Sequence, residues 1–274
     1  MIDPMVHSIP VPKNLARDST FNVPKVIRPT SPLLYRYQTT EHLDWLRPLI
    51  VENKLFVPSV SQLNDPADGR PKLAALSEGQ MVEFLYDATR NPTVTSAVQD
   101  RQWQVLRHNV KRHGPDTIRR IMGQLLNEHF KDYGIYSLSK RYDNLSLWAK
   151  YAANHSGYCL EFVNKGPIFG RSVEVIYGNT IPMDVTNPEH RTGYFLYCKH
   201  QDWSNEEEVR LVVVHGGGRT ITIEPQWLTL LILGERMTDS DQQVIREWAK
   251  QREPELRVVK AYFDELHQEL RLRE

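Results

Sequence analysis

From Leu73 to Asp132 the apolar residues recur at helical spacing, and on either side of that stretch they recur as short strands. A chain with this switch has to gather strands from both flanks around a helical excursion. Leu73, Leu76, Met81, Phe84 and Leu85 give the first helix of the excursion, and Trp103, Val105, Leu106 and Val110 the second. Ile118, Ile121, Met122, Leu125 and Leu126 give the third, with Asn91-Pro92 and Gly114-Pro115 as breaks.

Before the excursion, Leu33-Leu34-Tyr35-Arg36-Tyr37 reads as a strand and Thr40 as the cap of a helix through Trp45, Leu46, Leu49 and Ile50. Leu55-Phe56-Val57 leads into a loop, Ser61 to Gly69, dense in turn formers. After the excursion come strands at Gly134–Leu138, Gly157–Phe162 and Val173–Tyr177, with a helix from Asn144 to Ala153. Gly216-Gly217-Gly218 between Val209–His215 and Arg219–Glu224 predicts a hairpin, because glycine accepts the positive φ of a tight turn. Leu230–Leu233 is a buried strand, Ser240 caps a helix through Val244, Ile245 and Trp248, and Leu256–Phe263 closes the series. The expected class is α+β, with mixed, mostly antiparallel sheets and a helical insertion at about 73–132 inside a single domain, 32–274. Residues 1–31, with Pro4, Pro10, Pro12, Pro24 and Pro29 and no period, read as an extended N-terminal arm.

Composition narrows the function classes. Lysine plus arginine and aspartate plus glutamate both number 34, so no global pull toward nucleic acid or anionic membrane is expected. Cys159 and Cys198 are too few for a disulfide framework or an all-cysteine zinc site, which suits a reducing cytoplasm. The longest apolar runs, Leu211–Val214 and Leu230–Leu233, are far below the ~20 residues of a membrane helix. The first twelve residues show no apolar stretch of a signal peptide, so a cytoplasmic protein without membrane partners is expected.

Three polar groups beside strands could carry chemistry. Arg36 sits between Tyr35 and Tyr37 and points away from both, either as a solvated edge arginine or as a fork for phosphate or carboxylate. Ser137 and Ser139 end a strand on one face, and the following helix brings Trp148 and Tyr151 onto one side as an aromatic pair able to stack on a ring or simply to fill the core. His155 has no second ligand at metal spacing. Glu206 and Glu208, after Trp203, alternate in an extended region so that their carboxylates share one space. Such a pair raises one pKa or demands a cation, and it recurs in acid/base work and in oxocarbenium stabilisation; the alternative is a solvated acidic loop.

In this order the groups resemble the bacterial family catalogued as domain of unknown function 2971. The matching elements are Leu34-Tyr35-Arg36-Tyr37, Asn64-Asp65-Pro66 with Asp68, and Leu147-Trp148 to Tyr151 followed by His155 and Gly157. The strand ending at Tyr177, Trp203-x-x-Glu206-x-Glu208-x-Arg210 and Leu231-Ile232-Leu233-Gly234 complete them. The resemblance covers roughly residues 32–262, and one departure is Ala67, where the family is more often aromatic.

The layout is also similar to the Arg-Ser-Glu triad of mono-ADP-ribosyltransferases, which implies that fold and NAD as substrate, without a metal. By position, Arg36 would anchor NAD, Ser137 or Ser139 would support its nicotinamide half, and Trp148 or Tyr151 would stack on the ring. Glu208 would hold the nicotinamide ribose and Glu206 would engage the acceptor, a protein, a nucleic acid or water. The implied activity is a transferase or NAD glycohydrolase, and the family's settings suit a bacterial toxin or defence effector. The alternative is a non-catalytic module that binds a ligand or partner through Trp203, Tyr151 and the glutamates. A metal-independent nuclease would draw on Lys111-Arg112-His113 and Arg119-Arg120, against which the neutral total charge counts. Neither a Rossmann fingerprint nor a phosphate-binding P-loop is present.

Overall fold

Strand β1, Leu33–Gln38, is buried on both faces, and the rest of the sheet is arranged about it. The structure, a computed structural model, describes residues 27–65, 67–71, 73–89, 93–179 and 193–274. The arm expected over 1–31 lies outside the described residues as far as residue 26. The class is mixed α+β with a large, mostly antiparallel sheet, and the chain divides into two compact units.

One unit comprises Met1–Lys25, Asp65–Lys131 and Thr180–Cys198. It contains helices α2 (Glu78–Thr89), α3 (Ser96–His113) and α4 (Pro115–Phe130). Gly114 at φ 78° ends α3, and Pro115 opens α4 where its missing N–H costs nothing. Met81, Phe84, Leu85, Ile121 and Phe130 are buried, and Phe130 meets Phe195 edge-to-face at 5.0 Å.

The other unit comprises Val26–Asn64, Asp132–Asn179 and Lys199–Glu274. Besides β1 it holds α1 (Leu43–Glu52), β2 (Lys54–Val57), β3 (Gly134–Ser139), α5 (Leu145–Tyr151), β4 (Tyr158–Val163), β5 (Val173–Glu174) and β6 (Ile176–Gly178). After the short strand β7 (Cys198–His200) follow β8 (Glu208–Val213), β9 (Arg219–Thr222), β10 (Leu228–Leu233), α6 (Asp239–Gln251), β11 (Arg257–Asp264) and β12 (Glu269–Arg273). The large sheet runs β12-β11-β10-β4-β1-β3-β8-β5. Among the described strands only β10 and β11 pair in parallel, joined through α6 as a parallel connection requires.

Alternation assigns the faces. Leu34, Leu138, Leu160, Phe162, Leu231 and Leu233 meet Leu46, Leu49 and Ile50 of α1 and Ile245 and Ala249 of α6. Tyr35, Tyr37, Cys159, Ile232 and Val259 face the other way, onto Leu147 and Trp148 of α5. With apolar cover on both sides, β10 reads as a nearly continuous apolar run rather than an alternating one.

The glycine triplet is not a hairpin turn. β8 pairs with β3 and β5, whereas β9 leaves the large sheet and pairs with β2. Gly217 N–H donates to Asp132 O at 2.9 Å and Gly218 N–H to Val57 O at 2.9 Å, so the triplet threads between two segments. A Cβ on Gly217 would stand 2.7 Å from Tyr133 O, and Gly218 has φ +70°. Close approach of backbone selects Gly217, and the left-handed conformation selects Gly218.

Smaller differences concern ends. Thr39, not Thr40, precedes the first turn, and Thr238 Oγ1 rather than Ser240 caps α6, accepting from Asp241 N–H at 3.2 Å. The expected strand Val173–Tyr177 is broken into β5 and β6, and β12 lacked a distinctive apolar pattern.

Gly217→Ala is expected to destabilise the protein by about 1–3 kcal/mol, because the added methyl meets backbone. Gly123→Ala, inside α4 with nothing within 4 Å of the new methyl, is expected to stabilise it by about 0.5–1 kcal/mol. Denaturant midpoints of the two variants should move in opposite directions.

Candidate functional site

The register of β3 against β8 sets Ser139 opposite Glu208 and Ser137 opposite Arg210, and Tyr35 of β1 stands opposite Ser139. Directly opposed residues share a face, so Tyr35, Ser137, Ser139, Glu208 and Arg210 all project to the side covered by α5. A turn of 3₁₀ helix, Gln201–Glu206, delivers the chain to β8. Glu207 then takes the left-handed conformation, φ 45°, and lies between two carboxylates that converge below it.

Those carboxylates are closed off by cations. Arg210, fully buried, donates from Nε to Glu208 Oε1 at 2.7 Å and from Nη2 to Oε2 at 3.1 Å. Lys199 Nζ bridges the pair, 2.8 Å from Glu208 Oε2 and 2.7 Å from Glu206 Oε2. Glu206 Oε1 accepts from Lys150 Nζ and from Tyr151 Oη, both at 2.7 Å. Glu206 and Glu208 are 5% and 4% exposed, so both carboxylates are taken up inside the protein.

The surroundings fix this geometry. Asn144 caps α5 by accepting from Leu147 N–H at 3.2 Å, and its amide donates to Asn205 O at 2.8 Å, tying the helix to the turn before β8. Lys150 Nζ lies 3.4 Å from the Trp203 ring centre and 4.8 Å from that of Tyr151, a cation held between two aromatic rings. Tyr151 Oη also accepts from Asn64 Nδ2 at 3.3 Å, and Glu208 N–H donates to Tyr177 Oη at 2.8 Å.

Electrostatics follow from the pairing. Burial on its own would raise the Glu208 carboxyl, but Arg210 and Lys199 outweigh it and hold it down at about 2. For Lys199 burial pulls the ammonium down and Arg210 adds to that, yet the two glutamates win and its pKa is raised. Burial, then Glu206, raises the Tyr151 phenol, which stays protonated and donates. Glu208 and Lys199 are therefore ionised and hydrogen-bonded to each other throughout the neutral range.

The remaining expected site residues fall elsewhere. Arg36 projects to the opposite face of the sheet, stacked on Tyr136 with its Cζ 5.0 Å from the ring centre and Nη1 donating to Ser137 O at 2.8 Å. It does not join the serines and glutamates. Trp148 is fully buried, donates to Tyr142 O at 2.7 Å and meets Tyr37 edge-to-face at 5.3 Å, so it fills the core beneath α5. Ser139 Oγ accepts from Arg141 N–H at 3.3 Å, and Ser137 is half-buried beside Arg210. Lys199 and Lys150, which complete the cluster, carry no sequence signal of their own. Arg210 did offer one, because an arginine two residues beyond a glutamate on a strand shares its face. Among the described residues no three His, Cys, Asp or Glu side chains are grouped to hold a metal ion, and no helix is long and apolar enough to cross a membrane.

Glu208→Gln should destabilise the protein by about 3 kcal/mol, because Lys199 and Arg210 remain buried with one carboxylate fewer. The sign with pH is fixed by the depressed carboxyl. Its contribution is complete above the ordinary 4.5 and is lost as pH falls toward 2, so the difference in stability between wild type and variant should shrink across that window. Urea melts from pH 7 to pH 2.5 measure it, and a difference independent of pH would show that Glu208 is not ionised in the fold.

Comparison with known proteins returns no match: no family profile, no curated protein and no solved structure matches this chain, so its function is argued from the site.

Proposed function

We propose that this protein is a recognition module, in which Glu206 and Glu208 build the contact surface from within rather than react with a substrate. The observation that carries this reading is the closure of the carboxylates: both oxygens of Glu208 accept from Arg210 or Lys199, and the side chain is 96% removed from solvent. A carboxylate that stabilises an oxocarbenium ion must face the sugar, with its charge not already met by protein cations. Here the groups that reach the surface are Lys150, Tyr151 and Trp203, a positively charged aromatic corner held rigid by the pairs beneath it. Rigid aromatic and cationic side chains lose little freedom on binding, which suits a ligand or partner carrying negative charge.

A second reading, mono-ADP-ribosyl transfer or NAD glycohydrolysis on an ADP-ribosyltransferase-like fold, is favoured by one feature. The strands bearing Ser137, Ser139 and Glu208 are adjacent, with Ser139 and Glu208 in register on one face. In that reading NAD is the substrate, Glu208 holds the nicotinamide ribose after Lys199 and Arg210 release it, and Arg36 has no part because it lies on the other face.

Nicotinamide release from millimolar NAD separates the two. The recognition reading expects none above the buffer rate, with water or added protein and nucleic acid as acceptor. Turnover by wild type that disappears in folded Glu208→Gln would establish the transferase reading instead.

A further inference from the structure

Helix α3 turns one side inward and leaves the other uncovered. Val110 is fully buried, and Trp103 and Leu106 are half-buried on the same side, with the Trp103 ring meeting Tyr86 of α2 edge-to-face at 5.0 Å. On the far side, positions 97, 101, 104, 108 and 111 follow one helical row, and 105 and 112 run beside it. They hold Ala97, Arg101, Gln104, His108 and Lys111, flanked by Val105 and Arg112, and every one of them is exposed. The face therefore presents Arg101, Lys111 and Arg112 with no carboxylate among them. Asp100 and Arg107 are exposed too, but lie about a quarter turn away, where their charges offset each other.

These cations differ from others on the surface in having no counter-ion of their own. Arg119 reaches Asp116 at 2.7 Å, Lys131 reaches Glu128 at 2.8 Å and Lys54 reaches Glu52 at 2.6 Å. Arg101, Lys111 and Arg112 have no side-chain partner among the described residues. The negative end of the helix accounts for cations in its last turn, which covers Lys111 and Arg112 but not Arg101 in the second turn. The chemistry of the face also narrows what it can meet. Its apolar side chains are Ala97, Val105 and, at the margin, Val98, with no aromatic anchor for a partner protein and no bulk to enter a membrane surface. With Trp103 turned inward it offers no ring on which the bases of a single strand would stack. What remains is a row of cations and hydrogen-bonding groups. Arg101 and Arg112 are separated by ~16 Å of helix, the length of about five base pairs of duplex.

We propose that the outer face of α3 is a docking surface for double-stranded DNA, held by phosphate contacts from Arg101, Lys111 and Arg112. Gln104 and His108 lie between these cations and hydrogen-bond to the backbone or to base edges, in a major groove ~12 Å wide that admits an α-helix. Contacts of this kind position a protein on a duplex without a strong sequence preference. The equal numbers of acidic and basic residues in the whole chain do not oppose it, because salt limits the reach of an exposed charge to ~10 Å and the DNA meets only the local face. This docking surface is independent of the Glu206–Glu208 corner.

The test titrates the full chain into a fluorescently labelled DNA duplex of about 20 base pairs and follows anisotropy from about 50 to about 200 mM potassium chloride. Binding should saturate at the lower salt with a Kd of ~10 μM or tighter. It should weaken ~40-fold at the higher salt, because three phosphate contacts give a log–log slope of about −2.7. Arg101→Gln, Lys111→Gln and Arg112→Gln should each make the slope shallower by about 1, and the three together should weaken binding at least ~10-fold at low salt. Glutamine is a good helix former, so the melting temperature should not fall, and the single variants keep the test decisive should the triple variant melt lower. Lys165→Gln with Arg171→Gln, exposed cations outside α3, should change neither affinity nor slope. Unlabelled single strand of the same length and polyglutamate should compete more weakly than unlabelled duplex. The proposal is overturned by the absence of saturable binding at low salt, by unchanged affinity in the triple variant, by an equal loss in the Lys165/Arg171 pair, or by equal competition from single strand or polyglutamate.

Discussion

The charges buried between α5 and β8 hold the site together because none of them tolerates removal of its partner. Lys199 bridges Glu206 and Glu208, Arg210 forks onto Glu208, and Lys150 with Tyr151 completes Glu206. Each pairing offsets a desolvation penalty of several kcal/mol per ion, and the offset works only when every member is in place. The elements that supply these residues are thereby fixed in position. The helix that carries Lys150, the strand that carries Lys199 and the strand that carries both Glu208 and Arg210 must arrive together. A network of this kind specifies one arrangement more sharply than apolar contacts, which accept many packings of similar volume.

The second constraint is geometric. A sheet covered on both sides turns each strand into a two-sided address, and one residue of sequence decides which side a group serves. Arg36 and Tyr35 are neighbours in sequence, yet Tyr35 donates to Glu161 Oε2 at 3.1 Å on one face while Arg36 stacks on Tyr136 on the other. The molecule therefore carries two polar centres with different chemistry. One is saturated with its own counter-ions, and the other holds the Arg36 cation, stacked on Tyr136 with its Nε buried and unpartnered.

How far this was legible in the sequence depends on the range of the forces involved. The short strands at Leu33, Gly134 and Leu230 and the three helices between Glu78 and Phe130 declare themselves through local periodicity. Their ends shift by a residue or two, as with Thr238 in place of Ser240, because several hydroxyls compete to cap one turn. Gly216-Gly217-Gly218 misleads because a tertiary constraint governs there: Gly217 lies close to the Asp132 and Tyr133 carbonyls, and β8 and β9 go to different sheets. Glu206 and Glu208 were readable as convergent carboxylates from their spacing. Lys199 was not, because nothing in Cys198-Lys199-His200 says that its ammonium lies between them. Arg36 was readable as pointing away from Tyr35 and Tyr37, and that same alternation separates it from Ser137, Ser139 and Glu208 once the strand pairing is known.

The central position of β1 also governs the order of assembly. It is the first of the described strands to emerge during synthesis, but its neighbours β3 and β4 begin only at Gly134 and Tyr158, beyond the three-helix stretch. Until the ribosome has passed Val163, this strand has unsatisfied edges and no sheet to enter. The three helices draw mainly on contacts with one another and can begin to form while β1 waits, since local contacts close long before distant ones. The nascent chain is therefore most exposed to aggregation in that interval, and its yield in cells depends on how long the interval lasts and on what shields β1 meanwhile.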